Sequence, residues 1–298
     1  MSRVAFATCA PRQPMWEDDL ATAAVLGQAG VEVEFLAWDE PDADWSACDR
    51  VIVRSTWDYD ARLEEFLAWV DSVGAARLRN SPEMIRWNSD KRYLAELDGA
   101  GLPVPPTLLV APGGRIPDLH GEFVIKPLVG AGARDTGRFG PEAAPAAIEL
   151  LTRFDERDEI AMVQPYIEEI EAEGETSIVV ISGQVAWAVN RGSFLAPDSV
   201  VPEDPEGIAA AGRDEQLVRP VEPRPEEAEL AHRTVAWLSS RFGTTPLFAR
   251  VDMVNTDSAG PVLIELELIE PCLYLGWAAG LDFPGAEVVA AAVIADLG

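Results

Sequence analysis

Charged side chains alternate with apolar ones near the C-terminus, in residues 247–268, where LFARVDMV and PVLIELEL flank the turn segment NTDSAG. The pattern predicts a β-hairpin. Because side chains alternate between the faces of a strand, Arg250 and Asp252 share one face of the first strand, as Glu265 and Glu267 do on the second. A register that pairs Asp252 with Glu265 and Arg250 with Glu267 would bring three carboxylates within about 5–6 Å of one another.

Such a cluster is costly without a counter-charge. Two like charges about 5 Å apart repel by roughly 3 kcal/mol at an effective dielectric constant near 20. A divalent cation removes this repulsion, and hard oxygen ligands suit Mg²⁺ that bridges substrate phosphates. Arg250 would add a fixed positive charge for a developing negative one. The alternative is a structural Arg–Glu ladder in which Asp252 faces solvent.

Lysine is rare, since only Lys91 and Lys126 are lysines among 23 basic residues. A retained lysine indicates a compact point charge, such as a contact to a polyphosphate needs, although chance retention is the alternative. Lys126 ends the predicted strand EFVIKPL, and the glycine-rich segment 129–140 (VGAGARDTGRFG) follows it. Glycine lets backbone amides approach phosphates closely, but the chain has no GxxxxGK[ST] motif and this is not a P-loop.

Strands and helices alternate over residues 1–80, which predicts a parallel α/β unit. Ligands of such sheets gather at the carboxyl ends of strands, where Arg54, Ser55 and Thr56 end a predicted strand. These residues either bind a substrate or form a polar turn that caps the strand.

The later elements position the remaining chemistry. The sequence predicts a helix over 89–101 that carries Lys91, a strand over 160–167, and two antiparallel strands within 176–190. The irregular stretch 191–225 either covers a site or is exposed filler.

Composition excludes several classes of function. With 298 residues and a net charge of −28, the chain would be repelled by nucleic acid and by anionic membranes. Two histidines and three separated cysteines support neither a Ser-His-Asp triad nor a cysteine–histidine zinc site. The N-terminus lacks the apolar core of a signal peptide, so a cytoplasmic protein is expected. No segment displays an interface convincingly, and homo-oligomer formation is left open.

In their order and spacing, these motifs resemble the ATP-grasp superfamily over about residues 85–275, and most closely the ATP-binding domain of glutathione synthetase. The resemblance implies an α+β fold that binds ATP and Mg²⁺, in which Arg250 stabilises phosphoryl transfer and Asp252, Glu265 and Glu267 hold the metal. The residues implied to bind ATP are Lys91, Lys126, Gly130, Gly132, Gln164, Tyr166, Ile167 and Glu175. Glu267 departs from the family, which usually has Asn there, and its extra charge would strengthen metal binding.

The resemblance also implies three segments and a reaction. The segments are an N-terminal α/β domain (1–86), a lid subdomain with the lysines and glycine loop (87–185), and a C-terminal subdomain with the metal-binding hairpin (186–298). A substrate carboxylate would be phosphorylated by ATP and then attacked by a nitrogen nucleophile.

The combination VRSTWDY, RGSF and ELELIEP resembles a subgroup that contains cycloserine-forming cyclo-ligases of antibiotic biosynthesis. Cyclisation of O-ureido-D-serine to D-cycloserine is therefore expected. The residues expected to contact this small amino acid are Arg54, Ser55, Thr56, Arg191 and Ser193. The alternatives are an intermolecular carboxylate–amine ligase and a nucleotide-binding protein without turnover.

Overall fold

A computed structural model describes residues 1–9, 17–115, 121–201, 218–278 and 283–298 of the chain. Within these ranges the strands are β1 (Arg3–Thr8), β2 (Glu32–Ala37), β3 (Arg50–Ser55), β4 (Leu78–Arg79), β5 (Leu108–Val110), β6 (Phe123–Pro127), β7 (Gly137–Phe139), β8 (Ala161–Pro165), β9 (Glu175–Ile181), β10 (Gln184–Arg191), β11 (Ser199–Val200), β12 (Val218–Val221), β13 (Phe248–Thr256) and β14 (Gly260–Glu267). The helices are α1 (Glu17–Gln28), α2 (Leu63–Val73), α3 (Pro82–Asn88), α4 (Tyr93–Gly99), α5 (Ala144–Glu156), α6 (Ile170–Glu173), α7 (Pro225–Phe242), α8 (Leu275–Ala278) and α9 (Gly285–Leu297).

The N-terminal sheet is parallel, in the order β2-β1-β3-β4, and confirms the predicted α/β unit. Its two central strands, β1 and β3, are buried and largely apolar, as expected for a parallel sheet between helices. On one side Phe66 and Trp69 of α2 pack on Val51 and Val53 of β3. The residues at the carboxyl end of β3 lie outside this core and contact the segment that follows β14. Ligands of parallel α/β sheets bind at such strand ends.

Two antiparallel sheets follow. One has the order β11-β7-β6-β8-β5 and is covered by α5, whose Leu150 and Phe154 pack on Ile125. The other has the order β12-β10-β9-β13-β14, and its two faces pack on α7 and on the N-terminal unit with α9. This arrangement places β6 and the β13–β14 hairpin on two sides of one cleft.

Strand β9 of the predicted lid segment belongs to the same sheet as the hairpin, and β10 spans the boundary predicted after residue 185. The segments 1–86, 87–185 and 186–298 stay a prediction. In the described residues no helix is long and apolar enough to cross a membrane. Cellular location and oligomeric state also stay predictions.

The helix predicted over 89–101 is shorter in the structure, because α4 begins at Tyr93 and leaves Lys91 in the preceding turn. The backbone N–H of Lys91 donates to the carbonyl of Leu128 at 3.0 Å, and the N–H of Arg92 donates to the Asp90 side chain at 2.9 Å. These bonds hold the turn out of the helix and fix Lys91 beside the end of β6.

Candidate active site

The hairpin has the predicted register, in which Arg250 lies opposite Glu267 and Asp252 lies opposite Glu265. Ligand oxygens of Asp252, Glu265 and Glu267 lie within 4.8 Å of one another. Asp252 is fully buried, whereas the side chains of Glu265 and Glu267 are 34% and 32% exposed, and Glu265 lines the cleft. We call these three carboxylates with Arg250 the acidic hairpin face.

Buried amides hold this face in place. Strand β14 is an edge strand, whose outer backbone groups need partners. Asn88 of α3 donates to the Leu266 carbonyl and accepts from the Leu268 N–H, both at 2.8 Å, and the Tyr93 hydroxyl accepts from the Leu266 N–H at 3.0 Å. The edge is thereby covered by side chains from α3 and α4, and Glu265 and Glu267 are fixed on the cleft side.

Arg250 neutralises part of the negative charge. Its Nη2 donates to Asp252 at 2.8 Å and to Glu267 at 2.5 Å. Burial raises the pKa of Asp252, but the attraction of Arg250 outweighs it, so the pKa lies below its ordinary value. Burial raises the pKa of Glu267 to about 7 despite the attraction of Arg250, and the nearby charges of Asp252 and Glu265 add to the rise. Because Asp252 is fully buried, it does not face solvent, as the structural-ladder alternative had required.

Both lysines line the same cleft as Glu265. Lys91 donates to the Gly130 carbonyl at 2.5 Å and lies 3.7 Å from Glu265. Burial lowers the pKa of Lys126, which lines the cleft on β6. Among the described residues the Lys126 ammonium makes no hydrogen bond or salt bridge, so it is available to a ligand.

The glycine loop, residues 129–136, closes one wall of the cleft. A side chain at Gly130 would come within 2.9 Å of the Pro127 ring, and Gly132 has a φ of +62°. Both positions therefore require glycine, which keeps the loop backbone close to the lysines.

The cleft is also lined by Gln164, Tyr166 and Ile167, the residues predicted to frame adenine. Gln164 donates to the Thr107 hydroxyl at 2.8 Å, and the Tyr166 hydroxyl donates to Glu171 at 2.7 Å. The Arg138 guanidinium lies 3.6 Å from the centroid of the Tyr166 ring. Arg138 covers one face of the Tyr166 ring, and Tyr166 lines the cleft.

Glu175 and Arg191 form a buried ion pair, and Arg191 also lies 3.8 Å from Asp252. Burial raises the pKa of Glu175 even beside Arg191. Ser193 lies 3.3 Å from the Tyr166 hydroxyl. Of the residues predicted to contact the amino acid, Arg191 thus lies between Glu175 and the acidic hairpin face, and Ser193 lies beside Tyr166; their substrate role stays a prediction.

The three remaining predicted substrate residues lie at the carboxyl end of β3, as expected. Arg54 is buried and donates to Asp19 of α1 at 2.6 Å, and the Ser55 hydroxyl donates to the same carboxylate at 2.9 Å. The Thr56 hydroxyl donates to Glu270 at 3.3 Å. We call these five residues the amino-acid end, after the substrate predicted to bind there.

Sequence reasoning missed Asp19 and Glu270. Glu270 follows β14 three residues after Glu267, a spacing that the motif ELELIEP displays and that could have drawn attention to it. Burial raises its pKa well above the ordinary value, and within the described residues it forms no salt bridge. No local pattern marks Asp19, which is one of three acidic residues in the first turn of α1.

Comparisons with known proteins identify relatives of the whole chain. The family model described as the N-terminal domain of D-cycloserine synthetase DcsG matches residues 4–80. The chain is 32% identical over 259 residues to the cycloserine biosynthesis protein DcsG of Streptomyces lavendulae, covering 83% of this chain and 84% of that protein. The crystal structure of D-cycloserine synthetase DcsG matches with a TM-score of 0.86 and 28% identity over 100% of both chains. A RimK domain ATP-grasp protein from Sphaerobacter thermophilus shares the fold, with a TM-score of 0.66 and 18% identity over 98% of this chain and 100% of that chain.

The fold and the site thus define an ATP-grasp protein, and the predicted superfamily and fold class are confirmed. The chain is an ATP-grasp carbon–nitrogen ligase. It belongs to the DcsG family of cycloserine synthetases.

Proposed function

We propose that this chain converts O-ureido-D-serine to D-cycloserine at the expense of MgATP. A carboxylate oxygen of the substrate attacks the γ-phosphorus, the bond to the β-phosphate oxygen breaks, and ADP leaves. The ureido nitrogen bonded to oxygen then attacks the acyl carbon and displaces phosphate, which closes the ring. Water removes the carbamoyl group from this nitrogen as carbon dioxide and ammonia, so that all atoms are accounted for.

The observation that carries the proposal is the acidic hairpin face, whose Glu265 lines the same cleft as Lys126. Three carboxylates within 4.8 Å provide the hard oxygen donors that suit Mg²⁺, and Glu265 lines the cleft. The bound metal would neutralise charge on the phosphates. Lys126 has no protein partner among the described residues and would bind the same phosphates.

The protein's part in this reaction is to position groups and to neutralise charge, which needs neither a catalytic histidine nor a catalytic cysteine. Arg250 would keep Asp252 ionised and offer its charge to the transferring phosphoryl group. The glycine loop with Gly130 and Gly132 would exclude water from the acylphosphate. Gln164, Tyr166, Ile167 and Ser193 would enclose adenine, with Lys91 at the phosphates and Glu175 beside the ribose.

The amino-acid end would bind the substrate. Arg54 has one buried nitrogen, Nη2, without a hydrogen-bond partner among the described residues, and Thr56 offers a hydroxyl. Glu270 would pair with the substrate's α-ammonium group, which would supply the positive charge that its surroundings lack. Arg191 would act from the metal side, between Glu175 and Asp252.

The test is Mg²⁺-dependent release of phosphate from ATP with and without O-ureido-D-serine, followed by mass spectrometry of the product. We expect stimulated release, a mass corresponding to cycloserine, and one ADP formed for each ring closed. The L-enantiomer is the matched control for stereochemistry.

Absence of stimulation would reject the cyclo-ligase. A panel of amino acids and amines would then test the intermolecular carboxylate–amine ligase, for which a condensed product of two substrates is the diagnostic result.

A further inference from the structure

The glycine loop is bound to the N-terminal unit by one carboxylate. The Ala131 N–H donates to Asp60 Oδ2 at 2.9 Å, and Arg134 of the same loop forms an ion pair with this oxygen. The Asp60 side chain is 4% exposed. A buried carboxylate that holds both a backbone amide and a guanidinium is a strong point of attachment.

The loop needs such attachment because its backbone is strained. Ala133 and Asp135 have φ values of +59° and +51°, which non-glycine residues adopt only when their surroundings impose them. On the far side Asp135 pairs with Arg157, the residue that follows α5, at 2.7 Å. The loop is therefore stretched between α5 and the N-terminal unit, with Asp60 as the anchor on the N-terminal side.

Asp60 also borders the amino-acid end. It lies in the turn after β3 that begins with Thr56, whose hydroxyl donates to Glu270. The negative charge of Asp60 acts on Glu270 directly. Both oxygens of Asp60 accept hydrogen bonds from the protein: Oδ1 from the Ala61 N–H at 2.9 Å, and Oδ2 from the loop. Asp60 is therefore engaged within the protein and is not assigned as a substrate ligand.

We propose that Asp60 is a positioning residue that fastens the glycine loop over the nucleotide to the turn that holds the amino acid. The loop would then be correctly placed over the phosphates only when the amino-acid end is correctly folded around its substrate, which keeps ATP from reacting with water. This inference rests on the proposed function, because it assigns the loop to ATP and the turn to the amino acid.

The experiment compares Asp60→Ala and Asp60→Asn with the wild type in MgATP and O-ureido-D-serine. For Asp60→Ala we expect KM for ATP to rise about tenfold or more, since a hydrogen bond to a charged group is lost, and more than one ADP to form for each cycloserine. Asp60→Asn keeps an oxygen acceptor for the Ala131 N–H but loses the ion pair, so its effect should be intermediate.

Asp296→Asn is the matched control. Asp296 of α9 joins the C-terminal helix to the N-terminal unit through Arg50 and Arg79, at 2.5 and 2.8 Å, without touching the loop. The control should keep one ADP for each cycloserine. Equal uncoupling in Asp296→Asn and Asp60→Ala would overturn the inference, as would an ADP-to-product ratio of one in Asp60→Ala.

Hydrogen exchange without nucleotide separates this inference from the proposed function. The Ala131 amide should exchange at least about tenfold faster in Asp60→Ala than in the wild type, because its acceptor is gone. Unchanged exchange would show that Asp60 does not hold the loop. If the wild type forms no cycloserine, the proposed reaction fails, while the exchange result still decides whether the attachment exists.

Discussion

The acidic hairpin face and the amino-acid end treat charge in opposite ways. On the hairpin face Arg250 binds two carboxylates, and Glu265 lines the cleft 3.7 Å from Lys91. At the amino-acid end Arg54 forms its salt bridge with Asp19, and Glu270 has no salt bridge among the described residues. The first region clusters carboxylates that we propose hold a metal, and the second holds a carboxyl group that we propose binds one ammonium group.

Removing Arg250 should have the largest effect. We expect Arg250→Ala to lower kcat by about 10²–10³ and the free energy of unfolding by about 3–5 kcal/mol, because buried carboxylates lose their partner. The matched control is Arg241→Ala, since Arg241 forms a half-exposed ion pair with Glu96 at 3.4 Å. Steady-state kinetics measures kcat, and urea unfolding measures the free energy of unfolding, for each variant. A loss of stability with full kcat would mean that the hairpin arginine is structural, like the buried pair at the amino-acid end.

Replacing Lys126 should have the next largest effect. Lys126→Arg keeps the charge but puts a wide, planar group where a compact ammonium lines the cleft, so kcat/KM for ATP should fall about tenfold to a hundredfold. Lys126→Met is the reference for loss of charge. If the arginine variant has wild-type kinetics, the scarcity of lysine in this chain says nothing about phosphate binding.

The regions also differ in how far the sequence reveals them. The hairpin register followed from alternation over two consecutive strands, and the parallel N-terminal sheet followed from alternating strands and helices. The turn at Lys91 was missed because a tertiary hydrogen bond to Leu128 outweighs local helix preference. Of the amino-acid end, the sequence indicated Arg54, Ser55 and Thr56 but not Asp19. The ion pair of Arg54 and Asp19 joins residues 35 positions apart, which no periodicity connects.

The carboxyl group of Glu270 gives a third prediction, in which binding and pH are linked. Glu270→Gln should raise KM for O-ureido-D-serine about tenfold and leave KM for ATP unchanged, because the charge opposite the substrate's ammonium group is lost. Kinetics with each substrate varied in turn measure this. An equal rise in both KM values would place Glu270 with the metal site and remove the distinction between the two regions.

The same variant should alter the pH dependence of stability. Since burial raises the pKa of Glu270 above its ordinary 4.5, the folded wild type retains a proton that the unfolded chain releases. The free energy of unfolding therefore falls as the pH rises from about 4.5 through the folded pKa. Glu270→Gln removes this fall and should gain more than about 1.4 kcal/mol over the wild type between pH 5 and pH 8, since one pKa unit corresponds to about 1.36 kcal/mol. Urea unfolding at the two pH values measures the gain, and parallel curves for the two proteins would contradict it.

The smallest expected effect tests which region Ser193 serves. Its hydroxyl lies 3.3 Å from that of Tyr166 and 3.4 Å from Glu171, at the predicted adenine end of the cleft. Ser193→Ala should therefore raise KM for ATP by less than about threefold, the size of one neutral hydrogen bond, and leave KM for O-ureido-D-serine unchanged. Thr56→Val is the counterpart, because it should change only the amino-acid KM. If Ser193→Ala instead weakens the amino acid, the segment RGSF reaches the substrate in the working enzyme, and the two regions share a wall that this structure keeps apart.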